Sequence, residues 1–506
     1  MTEVLYHKTG AFGPTLELHI APEGLTLVGR GGPGSMEFAS LGDVADVAVS
    51  GLGKRRNVTI TFHGTKPAWQ LSGVPVHTAE LAQALVDEEM SAFSKQGRSE
   101  YSQPVALEAV EQTCAQTITT GDGHAAVDVV DFLLVQGALH GASDVHFDPY
   151  GDTVVVRFRL DGVLRDVARL DSGIKARLTS RLKVVSRLAS FKKNVAQEGR
   201  ASARIGERTV DYRFSSIPTI HGEKVAVRIF DPAKVIFDVD HLGMNAEMGS
   251  VYKAMLMQPQ GTILLTGPSS SGKTTTMYAS LSYLRENRKN LSSIATVEDP
   301  VEYDLHVVNQ TQVNNTSGLT FANALRTVLR QDPEVIMIGE IRDSETADIA
   351  VQAGLTGHLV LSTVHARSAA GVLVRLVDLG VEPYLLASSV TAVLSQRLVR
   401  KVCESCARDY SPTAEEREKF ALKGDDRFVM GAGCAKCTNT GYSGRTAIFQ
   451  LLPITDTMRD LVLKRSALGE LEQQVEREHI ADLYRDGLDK ARAGVTTLEE
   501  LTRVLG

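Results

Sequence analysis

The sequence predicts a multidomain α/β protein whose largest part is a nucleotide-binding parallel sheet. Three observations carry this. The apolar run Ile263-Leu264-Leu265-Thr266 passes directly into Gly267-Pro268-Ser269-Ser270-Ser271-Gly272-Lys273-Thr274-Thr275, and beyond it strand-like apolar runs alternate with helical patterns. Such alternation is the signature of a parallel sheet flanked by helices. Length is the third observation: 506 residues exceed the roughly 250–300 at which one core stops growing, so three or four domains are expected.

Patterning divides the chain. In residues 1–95, Leu16, Leu18 and Ile20, then Leu25 and Leu27, then Val58, Ile60 and Phe62 alternate with polar residues between Gly/Pro-rich breaks, as half-buried strands do. His77 to Phe93 carries Leu81, Ala84 and Leu85 at helical spacing, so a small β-rich domain closed by one helix is expected, fitting a pleckstrin-homology-like (PH-like) barrel. Residues 96–120 read as a linker. Residues 121–235 read as a mixed α+β domain with a helix over Val129–Leu134, the stretch Gly141-Ala142-Ser143-Asp144-Val145-His146, a basic helix (Lys175, Arg177, Arg181, Lys183, Arg187) and a strand pair around Arg213 and Arg228. Residues 236–506 hold the nucleotide-binding sheet, an insertion over about 397–447, and helices from about Thr455.

Composition narrows the function classes. A net charge of −7 with 43% hydrophobic and 23% charged residues describes an ordinary folded protein and lacks the basic footprint of a nucleic-acid binder. The start has no secretory pattern and no stretch reaches the ~20 apolar residues of a membrane span, so a cytoplasmic location is expected. Of five cysteines, Cys114 stands alone and reads as a buried, inert thiol.

The Gly-x4-Gly-Lys-Thr run between strand and helix is built for phosphate. Its glycines let backbone N–H groups converge on the anion, and the helix N-terminus adds a positive dipole end. Lys273 reaches the β/γ-phosphates of ATP, and Thr274 is placed to ligate magnesium. A second apolar run, Val335-Ile336-Met337-Ile338-Gly339, ends at Glu340. A carboxylate at the end of a buried strand beside such a loop is where a magnesium-bound water is held; an ordinary solvated strand-end charge is the other reading.

Four segments in a fixed order resemble the type II/type IV secretion ATPase family, which includes the type II secretion and type IV pilus assembly motors. Ala295-Thr296-Val297-Glu298-Asp299-Pro300-Val301-Glu302-Tyr303 is similar to its aspartate box, and Thr356-Gly357-His358 through Thr363-Val364-His365 to its histidine box. Gly318 to Asp343 matches the stretch leading into its Walker B motif, and the phosphate loop is the fourth. The resemblance runs from about residue 125 to the C-terminus and implies a RecA-like ATPase domain preceded by a PAS-like α+β domain. It implies that the aspartate-box carboxylates, Glu298 and Glu302 among them, help prepare the attacking water, with Glu302 favoured over Glu298 as the catalytic base, that His358 and His365 sense the γ-phosphate, and that Arg213 and Arg228 lend positive charge to the phosphates. Solvated strand arginines are the plainer reading of the last two. Ser270 stands where the family usually has glycine, and His365-Ala366-Arg367-Ser368 replaces a more usual His-Thr-Asn-Asp.

Cys403-x-x-Cys406 and Cys434-x-x-Cys437 form two knuckle-like pairs, and four thiolates so spaced close a tetrahedron around zinc with no open position for catalysis. Redox pairs are the other reading, disfavoured by the duplication. The resemblance adds that such a tetracysteine insertion accompanies assembly motors. It implies a homo-hexamer powering a type II secretion pseudopilus or type IV pilus through an inner-membrane platform protein, with a cytoplasmic or membrane-anchored adaptor and no nucleic acid. The chain would then associate peripherally with the inner membrane. A conjugation-type secretion ATPase and a nucleotide-binding scaffold without hydrolysis are the alternatives.

Overall fold

The computed structural model describes residues 103–506 apart from 121–124, 191, 193, 232–236, 290, 307, 423 and 425, together with the backbone of seven earlier strands. It divides into two compact units, Met1–Pro232 and Ala233–Gly506.

In the first unit, β1 (Glu3–Lys8), β2 (Thr15–Ala21), β3 (Gly24–Arg30) and β4 (Met36–Ser40) form one antiparallel meander, and β5 (Val44–Ser50), β6 (Arg55–Phe62) and β7 (Trp69–Pro75) a second. The helix expected over His77 to Phe93 lies outside the described residues. The expected linker over 96–120 needs correction. A 3-10 turn at Leu107–Ala109 runs into α1 (Val110–Thr120), whose Val110 and Cys114 are fully buried. Leu107, Val110, Cys114 and Ile118 recur at three- and four-residue intervals and so share one helical face; intervening Thr and Gln residues mask the stripe. Burial, with Glu111 adding to it, pushes the Cys114 thiol up to about 12, the inert state its isolation suggested.

After α2 (Ala125–Leu139) come β8 (Asp144–Tyr150), β9 (Thr153–Leu160), β10 (Val163–Asp171), α3 (Ser172–Val185), β11 (Gln197–Ile205), β12 (Arg208–Thr219) and β13 (Gly222–Phe230). The strands form a six-stranded antiparallel sheet in the order β10-β9-β8-β13-β12-β11. Alternation assigns its faces. Val145, Phe147, Val156, Phe158, Tyr212 and Phe214 join α2 and α3 in one hydrophobic core, which leaves Asp144, His146, Arg157, Arg159, Arg213 and Arg228 for the opposite, polar face.

The second unit begins with α4 (Ala246–Leu256) and proceeds through β14 (Gly261–Thr266), α5 (Lys273–Asn287), β15 (Ile294–Glu298), β16 (Asn309–Gln312), α6 (Phe321–Val328), β17 (Val335–Ile338), α7 (Ser344–Leu355), β18 (Leu359–Thr363), α8 (Ala369–Asp378) and α9 (Pro383–Ser389) to β19 (Val390–Val402). Then come β20 (Ala407–Tyr410), α10 (Ala414–Lys419), β21 (Phe428–Gly431) and β22 (Tyr442–Pro453), followed by α11 (Asp456–Leu463), α12 (Leu468–Arg477), α13 (Leu483–Arg492) and α14 (Leu498–Leu505). Seven strands make one sheet in the order β16-β15-β17-β18-β14-β19-β22, parallel except for the last pair. Every residue of β14, β15, β17 and β18 is buried, which is why these strands read as continuous apolar runs rather than alternating ones.

The insertion is narrower than the expected 397–447. Arg397 to Arg400 still pair with Arg445 to Ile448 across β19 and β22, so the main sheet keeps both flanks and only the segment between the two strands departs from it. At the far end, α13 and α14 pack on β19 and β22 through Val399, Ile448, Leu488, Leu498 and Leu501. The Glu500 carboxylate is wholly buried there and accepts from Arg400 Nε at 2.9 Å and Arg503 Nε at 2.7 Å. Burial alone would raise its pKa, but Arg503 and Arg400 hold it below the usual carboxylate range.

Candidate nucleotide and metal sites

β14 delivers the chain into the loop, and α5 starts at Lys273. Gly267 takes φ +151°, and a Cβ there would lie 2.5 Å from the Gln396 carbonyl oxygen, so no other residue fits this close approach. The Lys273 ammonium donates to the carbonyl oxygens of Gly267 and Pro268, each at 2.9 Å. Its pKa is lowered, first by burial and further by Arg397, while Glu340 opposes the shift. Thr274 and Thr275 follow, half-buried in the first turn of α5.

Glu340 leaves the end of β17 and faces this lysine. Its carboxylate is paired with Arg342 and lies 3.6 Å from His365 Nε2. Parallel pairing with β18 holds the two loops in step: the Ile341 N–H donates to the Thr363 carbonyl at 2.9 Å, and Thr363 Oγ1 donates to the Gly339 carbonyl at 2.8 Å. Loops at the carboxyl ends of parallel strands share one crevice, so Lys273, Glu340 and His365 come together. His358 does not. It precedes β18, its carbonyl accepts from the N–H of Gly261 at the start of β14, and its Nδ1 lies 3.1 Å from the Ala353 carbonyl. Five residues of strand separate it from the loop end, roughly 16 Å at ~3.3 Å per residue. The expectation that His358 senses the γ-phosphate is corrected for its own chain's loop, because an extended strand carries the two histidines to opposite ends of the sheet.

The two glutamates of the aspartate box also separate. Glu298 ends β15 and is buried, bonded to the Tyr278 hydroxyl, Thr296 Oγ1 at 2.6 Å and Gln310 Nε2 at 3.0 Å. Glu302 lies in the loop beyond, half-buried, and its backbone N–H donates to Tyr278 Oη at 3.3 Å.

Sequence reading missed Gln396 and Arg397, on β19 at the floor of the loop. Gln396 is fully buried and donates from Nε2 to the Ser271 carbonyl at 2.7 Å. Arg397 donates from Nη1 to the Gln396 carbonyl at 2.9 Å and from Nη2 to the Arg367 carbonyl at 3.4 Å, so it spans from the phosphate loop to the histidine loop. Burial holds its pKa below the usual arginine range. Little in the sequence singles them out, because β19 also holds Thr391, Ser395, Arg400 and Lys401.

The four cysteine sulfurs lie within 4.8 Å of one another. Separations of 3.9 Å (Cys403 to Cys434), 3.8 Å (Cys406 to Cys437) and 3.7 Å (Cys434 to Cys437) match the ~3.8 Å edge of a sulfur tetrahedron around zinc at ~2.3 Å. Each Cys-x-x-Cys closes with an N–H to carbonyl bond of 3.1 Å, Cys406 to Cys403 and Cys437 to Cys434. Burial pushes the Cys437 thiol up, but the N–H groups of Cys434 and Gly441, with the neighbouring thiols, outweigh it and bring it to about 6. The donor set, its spacing and its N–H support all fit zinc.

A family model described as type II/IV secretion system protein matches residues 121–503. The chain belongs to that family. It is similar to the type II secretion system ATPase E of Vibrio cholerae serotype O1, 44% identical over 380 residues and 75% of each chain. It is also similar to the type II secretion system protein E of Pseudomonas aeruginosa, 45% identical over 383 residues and 75% of each. Among solved structures, the Legionella pneumophila ATPase DotB aligns with TM-score 0.55 at 19% identity, covering 74% of this chain and 94% of that one. The pilus retraction motor PilT with bound ADP aligns with TM-score 0.50 at 24% identity, covering 73% and 95%. The type II/IV secretion family member described here is thus a secretion ATPase.

Both departures from the family pattern have a structural form in this secretion ATPase. Ser270 takes φ +60°, the left-handed conformation that glycine adopts at least cost. In the altered histidine loop, Ala366 exchanges two hydrogen bonds with the Thr266 hydroxyl, at 3.0 and 3.1 Å, so the loop is tied to the end of β14 through backbone groups. On the first unit's sheet, Arg213 and Arg228 are register partners on β12 and β13. Arg228 Nε donates to Asp144 Oδ1 at 3.1 Å, and the Arg213 guanidinium lies 4.5 Å from the centre of the Phe230 ring.

Proposed function

We propose that this ATPase works as a homo-hexameric ring whose shape changes, driven by hydrolysis, power assembly of a type II secretion pseudopilus or a type IV pilus through an inner-membrane platform protein and an adaptor. The observation that carries the reading is the convergence of Lys273, Glu340 and His365 on one crevice. The relatives named as type II secretion proteins support the secretion role, and PilT's description as a motor supports the motion. Peripheral association with the inner membrane from the cytoplasmic side goes with this reading; no helix among the described residues is long and apolar enough to cross a membrane.

In this reading the backbone N–H groups of Gly267 to Thr275 cradle the phosphates, and Lys273 turns from the loop carbonyls to the β/γ-phosphate oxygens. Thr274 and Glu340 would hold magnesium, which when bound neutralises charge on the phosphates. Glu302 takes the proton of the attacking water, His365 responds to the γ-phosphate, and Arg213 and Arg228 lend positive charge. Cys403, Cys406, Cys434 and Cys437 would hold zinc as a structural staple of the segment between β19 and β22, a lobe that docks to the platform. Phosphate release by the full chain tests the chemistry. Lys273→Ala should abolish it while the fold survives, and Glu302→Gln should slow it ~10²–10⁴-fold; near-normal turnover by either folded variant rejects its assignment.

A further inference from the structure

We infer that Tyr278 and Gln310 are positioning residues that hold the Glu302 loop against a buried Glu298, and that Glu298 anchors this network instead of acting as the base. The inference rests on the reading of Glu302 as the catalytic base.

Glu298 is only 3% exposed. One of its oxygens accepts the Tyr278 hydroxyl, and the other accepts both Thr296 Oγ1 at 2.6 Å and Gln310 Nε2 at 3.0 Å. A carboxylate so enclosed and already accepting three hydrogens offers no route for a water to deliver a proton. Its ties lead outward to the loop. Tyr278, on the second turn of α5, passes its hydroxyl hydrogen to Glu298 and accepts the Glu302 N–H at 3.3 Å. Gln310, on β16, donates from Nε2 to the Tyr303 carbonyl at 3.1 Å and accepts the Leu305 N–H on Oε1 at 2.8 Å. The loop is therefore gripped at three backbone atoms around the proposed base by two side chains that share one buried carboxylate. The helix carrying Tyr278 is the one that begins at Lys273, so the grip sets the distance between the phosphate-binding lysine and Glu302. A misplacement of about 1 Å can cost ~10²-fold in rate.

Tyr278→Phe removes the hydroxyl and leaves the ring, which packs edge-on against Phe237 at 5.3 Å and Tyr303 at 6.5 Å. If Tyr278 acts through Glu302, kcat for ATP hydrolysis by the full chain falls about 10- to 100-fold while KM changes less than about threefold. In a Glu302→Gln background, where the group being positioned is gone, the same substitution costs less than about twofold in single-turnover rate, since residues acting as a unit are non-additive. Gln310→Leu read in both backgrounds repeats the test should Tyr278→Phe fail to fold. A kcat within twofold of wild type for folded Tyr278→Phe, or an equal loss in both backgrounds, overturns the inference while leaving Glu302 as base. Near-normal turnover by Glu302→Gln instead rejects the base assignment itself, and with loss of turnover by Glu298→Gln it hands that role to Glu298.

Discussion

The Gln396 amide nitrogen lies 2.7 Å from the carbonyl oxygen of Ser271, tying the phosphate loop to a strand 125 residues further along the chain. Phosphate affinity in such a loop depends on N–H groups held in place before the anion arrives, so the tie would preorganise the proposed nucleotide site.

Gln396→Leu keeps the volume and removes the donor, leaving the Ser271 carbonyl buried without its partner, a loss of ~1–3 kcal/mol. KM for ATP should rise several-fold in steady-state phosphate-release assays, with a smaller effect on kcat. A lowered unfolding midpoint with KM unchanged would make Gln396 a packing residue only.

Ser270 already carries the strain of a positive φ. Ser270→Gly should therefore retain full activity, while Ser270→Val, β-branched in a conformation worth ~1–2 kcal/mol against it even for simpler side chains, should weaken nucleotide binding about tenfold. Titration with a fluorescent ATP analogue measures both, and equal affinities would mean that the loop re-forms on binding.

One zinc per chain is expected from elemental analysis of metal-replete protein, with a marked loss in Cys434→Ser. Chelation should lower the unfolding midpoint, because a site that binds only the folded state contributes its binding energy to folding. A metal ratio near zero in wild type ends the zinc assignment.

Acid sensitivity should originate at His146. Both ring nitrogens are buried without a hydrogen-bond partner. Burial lowers the pKa below 6.5, opposed by Asp148 and Asp144 and assisted by Lys224 and Arg159. The unfolded chain therefore binds a proton that the folded chain refuses, so this stability is complete above about pH 6.5 and declines on acidification. Asp148, held below 3.8 by Lys224 and Arg157 against the effect of burial, adds its own loss only at lower pH. Urea unfolding at pH 7 and pH 5 should show a drop that His146→Phe reduces; identical drops in both proteins would place the sensitivity elsewhere.

What could be read in advance was whatever chemistry is local. Gly267 to Thr275 declares itself because loop and helix start are consecutive, and each Cys-x-x-Cys pair because a knuckle needs only four residues. Tyr278, Gln310, Gln396 and Arg397 each act through at least one partner 12 to 125 residues away, and no motif marks contacts that only the strand order creates. His358 was grouped with His365 by the family resemblance, whereas the strand between them carries it away from its own chain's loop. The helix at Val110–Thr120 was legible in its apolar spacing but obscured by its polar neighbours. Arg213 and Arg228 were read as strand residues, and their adjacency follows from the register of one hairpin.

The buried Glu500 on α14 bears on how the protein can be handled. Arg400 depends on it for charge compensation, and Thr496 and Val495 just before that helix bond the Arg400 carbonyl and the Val402 N–H. Trimming the chain before Leu498 to tidy a crystallisation sample would strand a largely buried guanidinium at a cost of ~3–5 kcal/mol, and would remove the Glu500 carboxylate that accepts the Arg400 N–H at 2.9 Å, leaving β19 held there by Val495 and Thr496 alone. The last helix is therefore a poor place to shorten the protein.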